Sequence, residues 1–402
     1  MDTQPESFSF HAKLGDRTLF PGLRCSAYLN HAGVSPASAA VVAAATEAMR
    51  DHAELGANAV LPWAERREHL RAQLAELIGA DAQDIGFVQN TSSAVAAVAL
   101  CFPWRRGDRI ALCRGDFPAN ITPWQQAAAL FELEICWLDL KDFERGLAAG
   151  MEYLSAHMQD IRLIAVSAVR FQTGLRLPLP QISALCRSRG TQLFVDGIQA
   201  LGATPVSVSD VDYLASGGHK HLMGLMGSGF LYVDPSRISE LQPRIAGWLS
   251  HEEPLRFLSE RNQLHHDRPI RKRTDFIEQG AVGVCAFAAL EAAVALIAQL
   301  GVDAIYAHAQ EYLDALEPQL ESLGFTSLRS KESELRSTSL CLRPPAGTEA
   351  AELVQALWAD GDGVAAASPD GQLRLAPHFP NSLEELPLVV DALHAALRRS
   401  SI

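Results

Sequence analysis

Seven short apolar runs separated by helical spacers occupy the chain between residues 85 and 233, and this alternation limits the folds open to it. The runs are Ile85–Val88, Arg109–Cys113, Glu134–Leu138, Arg162–Val169, Gln192–Val195, Tyr213–Ala215 and Gly229–Val233. Between them the sequence reads as helix over Thr91–Leu100, over Ile121–Leu130, along a stretch ending at Met158, and over Gln181–Arg189. The last is closed by Gly190, a residue suited to a helix C-terminus. Apolar strands alternating with helices predict an α/β fold with a mostly parallel sheet covered on both faces. Such sheets bind ligands beyond the carboxyl ends of their strands. Functional residues are therefore expected in the strand-to-helix turns.

The pattern changes after about residue 260. Long helices follow (Ala281–Leu300, Asp303–Leu323), then short strands such as Ser337–Leu342. Ser382, three residues before Glu385, predicts a capping box for the last helix. Ser35 and Pro36 predict the start of a helix running to about Met49. The expected organisation is an N-terminal segment (1–20), a large domain (21–280), and a connecting helix with a smaller α+β domain (281–402).

Composition narrows the function classes. Lys plus Arg is 34 and Asp plus Glu is 47, a net charge of −13, which argues against a nucleic-acid partner. The one basic run, Arg268–Arg273, is short and reads as a solvated loop. Ala281–Ala298 carries a single charge, Glu291, and approaches membrane-span length. Its small residues read as a buried helix, so no membrane is expected. The seven cysteines contain no Cys-x-x-Cys pair, and the first twenty residues show no leader pattern. A reducing cytoplasm is the expected setting.

Four motifs stand at strand ends. Ser216-Gly217-Gly218-His219-Lys220-His221 places a lysine beside glycines, which let a backbone approach a ligand closely. A partly desolvated lysine supplies the free amine that Schiff-base chemistry needs; an ordinary loop lysine is the alternative. Asp196-Gly197-Ile198-Gln199 offers a carboxylate that can keep a pyridinium nitrogen protonated, cap the next helix or hold magnesium. Asn90-Thr91-Ser92-Ser93 opens a helix, where hydroxyls and free N–H groups suit a phosphate or merely cap the helix. Asp116-Phe117-Pro118-Ala119-Asn120 supplies an aromatic ring that stacks on a flat ligand or fills the core. Together these make a phosphate cup, a stacking ring, a carboxylate and an amine, the set that pyridoxal 5'-phosphate requires.

On these residues the chain resembles the class V aminotransferase family of fold type I pyridoxal-phosphate enzymes, which includes cysteine desulfurases, kynureninases and isopenicillin N epimerase-like proteins. The resemblance runs from about Tyr28 to the C-terminus and is densest over Thr191–Val233. It implies a large domain with a mostly parallel seven-stranded sheet between helices and a smaller α+β C-terminal domain. It also implies roles. Lys220 would carry the cofactor as a Schiff base (aldimine) and shuttle the substrate α-proton. Asp196 would pair with the ring nitrogen, Gln199 with the ring hydroxyl oxygen, and Phe117 would stack on the ring. Thr91, Ser92 and His219, helped by Ser216, would hold the phosphate. Arg374, followed by His378, Phe379 and Asn381, would bind the substrate carboxylate. Asn30-His31-Ala32-Gly33 would form the N-terminal side of the substrate site. A homodimer is implied, with an amino acid or related amine as substrate.

Several positions depart from the family pattern. Gly280-Ala281 replaces a Gly-Thr pair, Pro380 a tyrosine and Leu225 a proline, and Ser216 stands one residue farther from the lysine than usual. Val364–Gln372 contains no cysteine, whereas desulfurases carry a mobile one there; Cys285 and Cys341 lie elsewhere. Sulfur transfer is therefore disfavoured. The expected activity is a pyridoxal-phosphate-dependent aminotransferase. The alternatives are a lyase or epimerase of an amino acid (selenocysteine lyase-like or isopenicillin N epimerase-like), or a catalytically idle scaffold of this fold. Gly227-Ser228-Gly229 lacks the spacing of a hydrolase nucleophile turn. His265-His266 points two ways along the chain, so no metal is expected.

Overall fold

The computed structural model describes residues 10–358 and 363–400. The chain enters through β1 (Ala27–Tyr28), two long helices (Ala39–Leu55 and Val60–Ile78), and then β2 (Ile85–Val88). There follow β3 (Arg109–Cys113), β4 (Glu134–Leu138), β5 (Ile161–Ser167), β6 (Gln192–Asp196), β7 (Tyr213–Gly217) and β8 (Gly229–Val233). Strands β2 to β8 form one seven-stranded sheet in the order β2-β8-β7-β6-β5-β3-β4. Six run parallel, and β8 is antiparallel to both its neighbours.

The strands are apolar because both faces are covered. Along β5 and β6, Ile164, Val166, Leu193 and Val195 enter one core, while Leu163, Ala165 and Phe194 enter the other. This two-residue alternation between two buried layers is what a sheet packed on both sides requires. Helix Thr91–Cys101 lies on the second face, with Ala94, Val95 and Val98 in its core. The other face is covered by Leu70 and Leu74 of Val60–Ile78 and by Leu290 and Val294 of helix Val284–Leu300. That helix is the charge-poor stretch noted above, and it is shorter than expected at its N-terminus. No single described helix is long and apolar enough to cross a membrane.

The smaller core lies under β9 (Thr326–Ser327), β10 (Leu340–Arg343), β11 (Val364–Ala365) and β12 (Leu373–Leu375). Leu313, Leu316, Leu353 and Val389 fill it. Ala27 and Leu29 belong to it too, because β1 pairs in parallel with β11. The segment 21–280 thus threads both cores, and Val284–Leu300 packs on the large one.

Local sequence signals and structure agree at some helix ends and differ at others. Gly190 adopts the left-handed conformation (φ 66°) and closes helix Leu179–Arg189. The first long helix is capped by Ser38, whose side chain accepts from Val41 N–H, rather than by Ser35. Ser382 accepts from Glu384 N–H and caps a 3₁₀ turn (Leu383–Glu385), so the expected capping box with Glu385 does not form. The basic run is engaged within its own loop: Arg271 pairs with Asp275 at 2.7 Å, and Arg268 donates to Glu253 O and Gln263 O.

Candidate active site

The carboxyl ends of five parallel strands meet at one cavity of about 530 Å³. β2 leads to Asn90, Thr91 and Ser92; β3 to Phe117; β5 to Phe171. β6 ends on Asp196, and β7 leads to His219 and Lys220. The smaller domain closes the mouth with Ala367, Ser368, Pro369 and Arg374. Eight residues singled out by sequence therefore share this space: Thr91, Ser92, Phe117, Asp196, Gln199, His219, Lys220 and Arg374.

Each is placed for a physical reason. Asn90 caps helix Thr91–Cys101 through Ser93 N–H (2.9 Å), so the N–H groups of Thr91 and Ser92 stay free at the positive end of the helix. The Thr91 hydroxyl is buried without a partner. Phe117 is 45% exposed despite its apolar ring. Its backbone is pinned by Asp116, which accepts from Phe117 N–H and from Ser167 Oγ, both at 2.8 Å. Its ring meets Phe171 edge-on, with centroids 5.3 Å apart, and lies 5.4 Å from Lys220 Nζ. Gln199 donates one amide N–H to Ala32 O at 3.1 Å and retains a second.

The charged groups stand out by lacking partners. Asp196 is 1% exposed, and it accepts from Ile198 N–H at 3.0 Å. Among the described residues it makes no ion pair. Burial pushes its carboxyl well above the ordinary range, helped by the neighbouring Asp116 charge and opposed by Lys220. Burial likewise pushes the Lys220 amine down, with Asp196 opposing and Arg374 assisting. Arg374 is 6% exposed. It donates to Phe171 O at 3.0 Å, its Nε has no partner, and no carboxylate is bound to it among the described residues. A buried, unpaired guanidinium is costly unless a ligand anion completes it.

Three expected residues sit outside the cavity lining. Asn30 tucks its amide beneath Gly33, where a Cβ would lie 2.5 Å from Asn30 Oδ1. His31 is fully buried behind the Lys220 loop, with Nδ1 2.7 Å from Ser35 Oγ. Ser216 donates to Gly217 O within the sheet (3.0 Å). Ala32 and Gly33, next in sequence, line the cavity instead. The glycines before Lys220 serve packing rather than ligand approach. A Cβ on Gly218 would meet Leu290 and Ser228 at 2.9 Å, and one on Gly217 would meet His219 at 3.3 Å. Phe171 was missed; its place four residues beyond β5 is the signal that the strand-end rule offered.

These residues fit pyridoxal phosphate. The orphaned Thr91 hydroxyl and the free helix N-terminus suit a phosphate. Asp196, buried and in no ion pair among the described residues, suits a protonated ring nitrogen. The exposed face of Phe117 suits a flat ring, and Lys220 offers the amine. Among the described residues, no group of three His, Cys, Asp or Glu could hold a metal ion.

A mostly parallel sheet with this edge defines the fold type I architecture of pyridoxal-phosphate enzymes. The chain belongs to the class V aminotransferase family, whose profile, described as aminotransferase class-V, matches residues 27–372. It is 30% identical over 336 residues to an isopenicillin N epimerase of Streptomyces clavuligerus, covering 81% of this chain and 83% of that protein. It is 26% identical to a probable cysteine desulfurase of Methanothermobacter thermautotrophicus, over 75% of this chain and 74% of that one. In fold it superposes on a cystine C-S lyase, solved with cysteine persulfide, at a TM-score of 0.84. The identity there is 23%, over 93% of this chain and 99% of the lyase.

Proposed function

We propose that this chain is a pyridoxal-phosphate-dependent aminotransferase acting on an α-amino acid. The carrying observation is that Lys220 is the one side chain lining the cavity, among the described residues, that is free to exchange a proton with substrate. Asp196 is committed to a ring nitrogen and His219 to a phosphate. The facing segment, Phe171 and Ala367–Pro369, offers no group that titrates near neutrality. One base that takes and returns a proton suffices for transamination, whereas inversion at the α-carbon needs a second donor. The absence of cysteine from Val364–Gln372 argues against sulfur transfer.

When bound, the cofactor supplies an electron sink for the pair released at the α-carbon. The protein does the rest. Burial keeps more of the Lys220 amine neutral and able to accept the α-proton. Thr91, Ser92 and His219 hold the phosphate, Asp196 keeps the ring nitrogen protonated, and Gln199 donates to the ring oxygen. Phe117 and Phe171 shield the reacting carbon from water. Arg374 receives the α-carboxylate on its planar fork.

Mixing the holoenzyme with single amino acids tests this reading. Formation of the matching 2-oxo acid, with the cofactor recovered in its amine form, supports it. Loss of the substrate side chain with unchanged cofactor, or inversion alone, would contradict it. Arg374→Lys keeps the charge but loses the fork. It is expected to raise KM for the amino acid about a hundredfold or more, with a smaller change in kcat. The corresponding amine lacking the carboxylate should show no such change; equal losses for both would remove Arg374 from this role.

A homodimer is part of the reading. Met49, Leu61 and Trp248 are exposed near an apolar cavity of about 510 Å³ lined by Val60, Trp63 and Val284. Light scattering is expected to give twice 43.5 kDa, and a monomer would contradict it. The seven unpaired cysteines support the reducing cytoplasm expected from sequence, which cell fractionation tests.

A further inference from the structure

The loop that carries Lys220 is held from behind by one main-chain and two side-chain donors that do not reach the cavity. Three consecutive carbonyls are tied. His219 O accepts Ser35 N–H at 2.9 Å. Lys220 O accepts the Ser35 hydroxyl at 2.7 Å. His221 O accepts from His378 Nε2 at 3.0 Å.

Hydrogen counting sets the tautomers. Ser35 spends its single hydroxyl hydrogen on Lys220 O, so its 2.7 Å contact with His31 Nδ1 must be donated by His31. His378 must carry its hydrogen on Nε2. Burial favours the neutral ring in both, pushing His31 far down and His378 to about 4. The rings of His31 and His221 lie 5.4 and 5.9 Å from that of His378. Four ring nitrogens in this cluster are buried without a partner: His31 Nε2, His378 Nδ1 and both of His221. Phenylalanine or leucine would fill the same space without that desolvation cost; what His378 and His31 add is a directed bond each, to His221 O and to the Ser35 hydroxyl that holds Lys220 O.

The same elements carry the anion receptor. His378 lies four positions beyond Arg374 on one extended run. That run pairs with the N-terminal segment through Ala376 N–H to Leu29 O (2.7 Å) and His31 N–H to Ala376 O (3.2 Å). Asn381 Nδ2 donates to Tyr28 O at 3.0 Å and completes the pairing. Gly202 makes room beneath: its φ is +96°, and a Cβ there would lie 2.4 Å from His221 O.

We propose that His378 and the His31–Ser35 pair are positioning residues that hold the Lys220 main chain in a fixed register with Arg374. The inference rests on the aminotransferase reading for its kinetic consequence, but the clamp itself does not depend on it. His378→Phe keeps the ring volume and removes the donor; His378→Gln keeps an N–H at similar reach. The Phe variant is expected to lose about ten- to a hundredfold in kcat, as misplacement of a reacting group does. KM for the amino acid should stay within about threefold, because Arg374 is intact. In the cofactor-free protein, amide exchange across His219–Leu222 should speed up, and His378→Gln should reverse most of both effects. Ser35→Ala, on the other arm of the clamp, should act in the same direction and decides the matter if the Phe variant fails to fold. Unchanged exchange in His378→Phe and Ser35→Ala would overturn the proposal. So would kcat within about twofold of wild type, or a Gln variant no better than Phe. The exchange measurement needs no substrate, so it separates failure of the clamp from failure of the aminotransferase reading.

Discussion

On the proposed reading, Lys220→Ala is expected to lower turnover by at least about four orders of magnitude, because it removes both the covalent anchor and the one base that faces the substrate among the described residues. The chain has five lysines. Lys13, Lys141, Lys272 and Lys331 are exposed, and Lys220 alone is drawn into the protein. Its amine lies over Phe117 in a setting that disfavours the charged form. Removing it deletes a lysine that burial already holds at a cost, so the unfolding midpoint should fall little. Small primary amines added to the variant should restore part of the rate, since they replace the base but not the tether. A loss of activity without rescue, accompanied by a collapsed midpoint, would mean that the lysine served the fold. Activity within about tenfold of wild type would remove Lys220 from the chemistry altogether.

Asp196→Asn should move activity and stability in opposite directions. The amide matches the carboxylate in shape but cannot keep a ring nitrogen protonated. Turnover should fall by about two to three orders of magnitude, the scale seen when a preorganised electrostatic group is lost. In the cofactor-free protein the sign reverses. Asp196 has a folded-state pKa raised by burial. A raised acid binds more protons folded than unfolded, so folding is unpenalised below the unfolded value of 3.8 and loses stability as pH rises through the folded value. The cofactor-free Asn variant should therefore unfold at a higher denaturant concentration than wild type at pH 8. The two midpoints should converge towards pH 4. Chemical denaturation at the two pH values checks this, and a variant less stable at pH 8 would mean that Asp196 is paired in the cofactor-free protein.

The sheet and most of the site were legible because they follow from short-range rules. A strand buried on both faces must be apolar throughout, which is why Ile85–Val88, Arg109–Cys113 and Gly229–Val233 are legible to the residue. Parallel strands collect ligands at their carboxyl ends, which led to Asp196, Phe117 and Lys220. What escaped the sequence was decided by distant contacts. Ser35 and Ser38 both precede a helix and both suit a cap. Only the partner 185 positions away, Lys220 O, shows that Ser35 has another task. Gly217 and Gly218 read as ligand-approach glycines, yet Leu290 of a helix some seventy positions later occupies the space beside Gly218. The family resemblance of Asn30-His31-Ala32-Gly33 puts His31 on the substrate side. Its ring points instead into a buried cluster with His378, a residue that sequence separation kept apart from it. Ala27 and Leu29 looked like the start of the large domain, but the pairing of β1 with β11 draws them into the small core.

The central claim is that the Lys220 amine is the group to which the cofactor attaches. The direct measurement is borohydride reduction of the holoenzyme followed by peptide mapping by mass spectrometry. The account predicts a stable cofactor adduct on Lys220 and on none of the four exposed lysines, with the adduct lost when a saturating amino-acid substrate is added before the reductant. A reduced protein without an adduct on Lys220, or with the cofactor fixed to another lysine, would contradict it.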